Sequence, residues 1–410
     1  PNPTSSLDDL MKNIIFKTDQ MKTIVNDINN DLNHEQFYTF FNQMAKCIEQ
    51  ISTVISNNIN ILTETQIFKD DFHNTISMAI DSYIISLKSI KNSPKNPETT
   101  NIITNDIINF TQSLNIFSTN FLEIMQSITD LNQSQDPKEE QQNALNARLG
   151  LESSLFNLSV KVQKTAKFPF FKSKFLGVYR CYNTINNINE PITAIQSFCG
   201  TGKTNIIPLI LMIRSLKENY KSPFIILTQP SPKHVENKAK FFNSFISKYV
   251  TIITDSNKLF ELINEKNQKK IIFSILTPHL LLPLLFNLRK NEDFYSNTRI
   301  IIDEIHQRTF HLDVLISKIA TLDSKFNSFK IPLNVILMSA SIYSNLLNPF
   351  NGKVKVTSLI KSSQYEVVEK PPIMEHFVDK INNEVVRDEA IKVIEEMAKI
   401  NSKIERGHIL

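Results

Sequence analysis

The sequence predicts an α/β domain with a parallel sheet, preceded by an all-helical bundle. Three observations carry this. From Phe168-Pro169-Phe170-Phe171 onward, short apolar runs alternate with amphipathic stretches, the pattern of strands and crossover helices. Within that region, Ser197-Phe198-Cys199-Gly200-Thr201-Gly202-Lys203-Thr204 joins an apolar run (Ile192, Ala194, Ile195) to a helical one (Ile206, Ile207, Leu209, Ile210, Leu211, Ile213). Glycine is scarce: the chain holds 6, none in its first 149 residues, yet Gly200 and Gly202 stand together beside Lys-Thr.

Strand, glycine-containing loop and Lys-Thr opening a helix is the layout of a P-loop. Glycines let backbone N–H groups turn inward on phosphate, and the positive end of the helix dipole faces the same anion. Cys199, Gly200, Thr201, Gly202, Lys203 and Thr204 are therefore the candidate nucleotide-binding residues. Lys203 would reach the β- and γ-phosphates and Thr204 would ligate Mg²⁺. The common pattern begins with a further glycine, which here is Ser197. Taken alone, the stretch also fits a glycine turn beside a surface lysine. The glycine pair in a glycine-poor chain favours phosphate.

At 410 residues with 41% apolar content, two or three domains with sizeable cores are expected. The net charge of +4 is too small to argue for a nucleic-acid partner. Cys47, Cys181 and Cys199 are isolated and odd in number, which fits a reducing compartment and no zinc site. No stretch has the length and purity of a membrane span, and the first residues lack a signal-peptide pattern, so no membrane partner is expected.

Along the chain, Met21, Ile24, Ile28 and Leu32 suggest a first helix. Phe37, Phe40, Phe41, Met44, Cys47, Ile48, Ile51, Val54, Ile55, Ile59 and Leu62 recur at three- and four-residue steps and predict a second. Further helices are expected over Phe68–Ile90, Ile102–Leu131 and Ala144–Lys164, with breaks at 92–97 and 134–137. Residues 1–166 thus read as a helical bundle serving as an interaction module, with Cys47 in its core and His34 and His73 on its surface. Candidate strands are Ile192–Ser197, Pro223–Thr228, Val250–Thr254, Lys270–Leu276, Arg299–Asp303 and Asn334–Ser339. Several are apolar without alternation, as strands buried on both faces must be. Lys238 with Lys240, and Lys269 with Lys270, read as solvated faces. After Thr357 regularity fades until a helical stretch from Glu384 to Lys399.

About a hundred residues after Lys203 stands Ile300-Ile301-Ile302-Asp303-Glu304-Ile305-His306. Two carboxylates at a strand's end suit phosphoryl transfer to water, with Asp303 in the Mg²⁺ shell and Glu304 polarising the attacking water. Alone, such a pair is often a solvated loop, but its place behind a P-loop favours chemistry.

Asp303-Glu304-Ile305-His306 resembles motif II of the DExH-box superfamily 2 helicases, and four further matches follow the family's order. Cys199 to Thr204 resembles motif I, Thr228-Gln229-Pro230 motif Ia, Thr277-Pro278-His279-Leu280-Leu281 motif Ib, and Ser339-Ala340-Ser341 motif III. Gln307-Arg308 resembles the Glu-Arg that follows the DEAH box. The nearest kin by these motifs are DEAH-type RNA helicases and viral nucleic-acid-dependent NTPases, and the resemblance covers roughly residues 168–345. It implies a RecA-like domain that hydrolyses ATP or another NTP with Mg²⁺, through Lys203, Thr204, Asp303 and Glu304. His306, Ser339 and Ser341 would couple nucleotide state to strand binding. Thr228, Gln229 and Thr277 would touch the phosphodiester backbone, of RNA in preference to DNA, and His279 stands beside them.

This chain departs from the family at Ser231-Pro232-Lys233, where DEAH members carry two arginines, and at Ser341, usually Thr. Gly407-His408-Ile409-Leu410 resembles the strand that opens the family's second RecA-like domain. The expected division is therefore 1–166 helical bundle with a protein partner, 167–356 RecA-like domain, and 357–410 connector with the first strand of a second such domain. The chain is expected to be the front portion of a longer enzyme, weak in hydrolysis alone because motifs IV to VI and their arginine fingers are missing. The Ile-, Asn-, Lys- and Phe-rich, Trp-free composition suggests an AT-rich genome. The expected setting is the cytoplasm, with virus-infected cells or virions included. The alternative functions are a translocase that does not separate strands, and a structural or assembly protein using an NTPase-like domain as a switch or scaffold.

Overall fold

The apolar runs of the α/β region become strands that all point the same way, and that sets the architecture. The computed structural model describes residues 97–133, 139–165, 178–186 and most of 188–359, with a few isolated earlier positions. The expected helices before residue 97, and everything expected after Ile360, lie outside the described residues. Seven strands form one all-parallel sheet: β1 (Ile192–Gln196), β2 (Phe224–Thr228), β3 (Val250–Ile253), β4 (Ile271–Leu276), β5 (Thr298–Ile302), β6 (Asn334–Ser339) and β7 (Lys355–Ser358). Their spatial order is β3-β4-β2-β5-β6-β1-β7. Helices cover both faces, as parallel strands need, and this is a RecA-like sheet.

The six expected strands are all present, within one residue at most ends. The register explains why they serve one site. Gln196 lies level with Ser339, Ile302 with Leu337, and Thr228 with both Leu276 and Ile302. Loops after β1, β2, β5 and β6 therefore leave the same edge side by side. The seventh strand has no apolar run: Lys355, Val356 and Ser358 are exposed on an outer strand. It pairs with β1 and spans the expected boundary at 356/357, and the compact unit runs on to Ile360.

The described helices are α1 (Pro97–Gln133), α2 (Glu139–Thr165), α3 (Val178–Asn186), α4 (Lys203–Lys217), α5 (Pro232–Ile246), α6 (Ser256–Asn264), α7 (Pro278–Asn287), α8 (Glu292–Ser296) and α9 (Phe310–Phe329). α1 and α2 begin several residues before the apolar spacing does, because their first turns are polar. Helix α4 explains their placement. It is apolar nearly all round, with Ile206 through Ile213 buried without interruption, and such a helix must be covered on two sides. The sheet covers one side. α2 and α3 cover the other, and Leu151, Leu155, Cys181, Tyr182 and Ile185 share one core with α4 and the strands. The second half of the expected bundle is thus part of the α/β unit's core.

Polar contacts fasten this cover at the far end of α4. Lys217 Nζ donates to Asn120 Oδ1 (3.0 Å) and Tyr182 Oη (3.1 Å), and Arg148 pairs with Glu123 at 2.8 Å. Arg299, in β5, donates to Glu218 at 2.8 Å and to the Leu211 carbonyl at 3.1 Å. Arg214 donates to the carbonyls of Ile185 (3.1 Å) and Ile188 (3.3 Å). Within the network Glu152 is fully enclosed. Burial pushes its carboxyl from 4.5 to about 7, against the pull of Lys217, Arg148 and a hydrogen bond with Asn120.

Two expectations follow. Gly150 lies where a Cβ would collide with the Tyr249 ring, so Gly150→Ala should destabilise the unit by roughly 1–3 kcal/mol, measured by denaturant unfolding. In a Tyr249→Ala background the same change should cost nothing further. For Glu152, the folded state holds the proton more tightly than the unfolded chain. Its contribution to stability is complete below the ordinary value of 4.5 and is lost as pH rises through about 7. Glu152→Gln should therefore melt several degrees above the parent at pH 8 and close to it at pH 5.

Candidate nucleotide site

The site forms where the loops after β1, β2, β5 and β6 meet. Gly202 takes a left-handed conformation (φ 80°) and precedes α4 with no side chain capping the first turn. The open N–H groups there and the helix dipole favour an anion. Lys203, the first residue of α4, is buried (4% exposed), and its Nζ lies 3.6 Å from Glu304 Oε1. Cys199, Gly200 and Thr201 lie outside the described residues.

Asp303 follows β5 and is 4% exposed. Burial pushes its carboxyl above the usual carboxylate range, and neighbouring Glu304 adds to this. A hydrogen bond from Thr204, the charge of Lys203 and a hydrogen bond from Gln229 pull it back. Gln229 Nε2 donates to Asp303 Oδ2 at 3.1 Å. The Asp303 N–H donates to Thr228 Oγ1 at 3.2 Å, and the Glu304 N–H to Asp303 Oδ1 at 3.0 Å.

Glu304 itself is held at φ 53°, ψ 46°, a left-handed conformation that costs a non-glycine residue about 1–3 kcal/mol and clusters at functional positions. That turn swings its carboxylate towards Lys203. Beyond it, His306 Nδ1 and Ser339 Oγ share a hydrogen bond of 2.9 Å. The same Nδ1 lies 3.2 Å from Glu304 Oε2, but its aligned partner is Ser339. Oε2 is thus buried beside the ring with no hydrogen bond of its own. The Ser197 N–H donates to the Ser339 carbonyl at 3.0 Å, which ties the start of the P-loop to the end of β6.

The donor set suits a magnesium nucleotide. A hydroxyl (Thr204) and a buried carboxylate (Asp303) are already in contact, as hard oxygen ligands for Mg²⁺ would be. Lys203 and the open first turn of α4 suit phosphate.

The DEAD/DEAH box helicase family profile matches residues 181–348, the stretch that contains all these loops. This segment is similar to DEAD/DEAH box helicase domains. The chain is also 25% identical over 189 residues to the ATP-dependent RNA helicase HrpA of Borreliella burgdorferi. The match covers 45% of this chain and 21% of that protein, so it spans about a fifth of the relative's length.

Most of the other motif residues are enclosed. Thr228 is 0% and Gln229 3% exposed, and both side chains turn inward to Asp303. Both thereby brace the Asp303 loop. Thr277 is also largely buried, at the start of α7. His279 beside it is exposed, its ring edge-on to His311 with centroids 5.1 Å apart. Ser339 is enclosed on β6, and Ser341 sits partly buried two residues on.

Lys238 departs from its expected place on a solvated face. Lys240 does lie outside, paired with Glu236 at 2.6 Å. Lys238 is partly buried and donates to Asn205 Oδ1 at 2.7 Å. A signal for this was in the sequence: Lys238 stands three residues after Val235 and four before Phe242, both buried on α5, so it belongs to the inward stripe.

Proposed function

We propose that this chain is the motor part of an NTP-driven RNA helicase or translocase, hydrolysing ATP or a related nucleotide between α4 and the Asp303–Glu304 turn. The observation that carries the reading is the convergence of Lys203, Thr204, Asp303 and Glu304 from two separate segments, one after β1 and one after β5. The RNA preference rests on the family motifs and on the distant relative, whose name describes an RNA helicase.

In this mechanism Lys203 leaves Glu304 for the phosphate chain and neutralises charge that builds up in the transition state. Thr204 and Asp303 would hold Mg²⁺, which when bound screens the phosphates and orients them. Gln229 and the Thr228 hydroxyl fix the Asp303 loop so that this carboxylate stays in place. Glu304, released by Lys203, then orients a water and accepts its proton as the water oxygen bonds to the γ-phosphorus and the bond to the leaving diphosphate breaks. His306 joins the Glu304 turn to Ser339, so a change at the phosphate is felt at the end of β6.

In the full-length protein, Lys203→Ala should lower NTP hydrolysis by ~10²–10³, and turnover near the parent's would show that phosphate binds elsewhere. Glu304→Gln should still bind Mg²⁺–ATP near parental affinity while losing ~10²–10⁴ in turnover. Equal loss of binding and turnover would make Glu304 a structural residue. RNA should stimulate hydrolysis, and indifference to both RNA and DNA would favour the scaffold reading.

A further inference from the structure

Lys238 is a charged group for which the hydrolysis mechanism has no use. It projects from the second turn of α5 towards the first turn of α4, where its Nζ meets Asn205 Oδ1 at 2.7 Å. Asn205 directly follows Thr204, so the ammonium sits against the turn that would receive phosphate. It is also close enough to Asp303, Glu304 and Lys203 for all three charges to act on it. Its contact with Asn205 and the reach of these three charges place it beside the same site.

Its compensation is incomplete. Burial works against the ammonium, while Asp303 and Glu304 support it from a distance. Among the described residues no carboxylate lies within ion-pair reach, and the hydrogen-bond partner is a neutral amide. The Phe241 ring, 5.9 Å from Nζ, adds weak support. A partly buried cation with a neutral partner is costly unless an anion completes the site. Lys203 differs, since it already has Glu304.

We infer that Lys238 is a second phosphate-binding lysine of this site, exchanging Asn205 for the phosphate chain of the bound nucleotide. This rests on the reading of α4 as the nucleotide site. A hydrogen bond to a charged group held in this way is worth on the order of a tenfold change in affinity or more. Its role is in binding the ground state, so it should act on affinity more than on turnover.

The test uses the full-length protein with a fluorescent mant-ATP probe and Mg²⁺, alongside steady-state hydrolysis and melting temperature. Lys238→Gln should weaken mant-ATP binding and raise KM by ~10-fold, with kcat within about threefold of the parent's and an unchanged melting temperature. Lys238→Arg should restore most of the affinity, since it keeps the charge. Asn205→Ala should leave binding nearly intact, since the ammonium remains. If Asn205→Ala matches Lys238→Gln, the lysine acts only by positioning α4 and direct phosphate contact is wrong. If Gln and Arg variants lose binding equally with a lowered melting temperature, its role is packing and the proposal falls. Parental binding by Lys238→Gln while Lys203→Ala has lost it would overturn this inference alone. Parental binding by Lys203→Ala would overturn the nucleotide site itself.

Discussion

A carboxylate buried at the end of β5 is the constraint on which the site depends. Asp303 loses solvation that an ionised group needs, and such a group persists only where donors and a counter-charge replace the water. Those replacements come from distant positions in the chain: Thr204 and Lys203 after β1, Gln229 after β2. The sheet order β2-β5-β6-β1 sets these loops side by side. A shift of one strand in register would turn the supporting groups to the opposite face and strand the charge. Strand order, register and chemistry are therefore one requirement.

Helix α4 carries that requirement from one end of the domain to the other. Its first turn meets the anion site, and its last turn is held by Arg214, Lys217 and Glu218 through α1, α3 and β5. Between them lies a continuous apolar surface, where each fully buried Ile or Leu contributes roughly 1.5–3 kcal/mol. This apolar middle, with Arg299 on the Leu211 carbonyl, fixes Lys203 relative to Asp303. Glu304 is the exception to this regularity, with its left-handed turn placed at the point of chemistry.

The core of the site was legible because its signals are local. Lys203 and Thr204 follow a glycine pair in a glycine-poor chain, and Asp303-Glu304 follow an apolar strand, so spacing alone suggests their partnership. The direction of a side chain leaving a strand is not local. Spacing does not reveal that Thr228 and Gln229 both bond to the neighbouring β5 loop. β7 escaped notice because an exposed outer strand needs no apolar run. Lys238 looked solvated because charge outweighed its place in the stripe of Val235, Ala239 and Phe242. The docking of α2 was hidden for a similar reason, since an apolar face shows that it is covered without naming what covers it.

That docking bears on how such a molecule can be divided. The family profile begins at residue 181, but Leu151 and Leu155 fill the same core as Ile210 and Met212. A cut at the profile's edge would leave α4 with one side bare and Lys217 without Asn120. Homology and cooperativity draw different borders here. The matched segment is the shorter one, whereas the packed core takes in two helices that lie before it. Those helices stand to α4 as a hull to its keel, part of the same packed body and not an appendage to it.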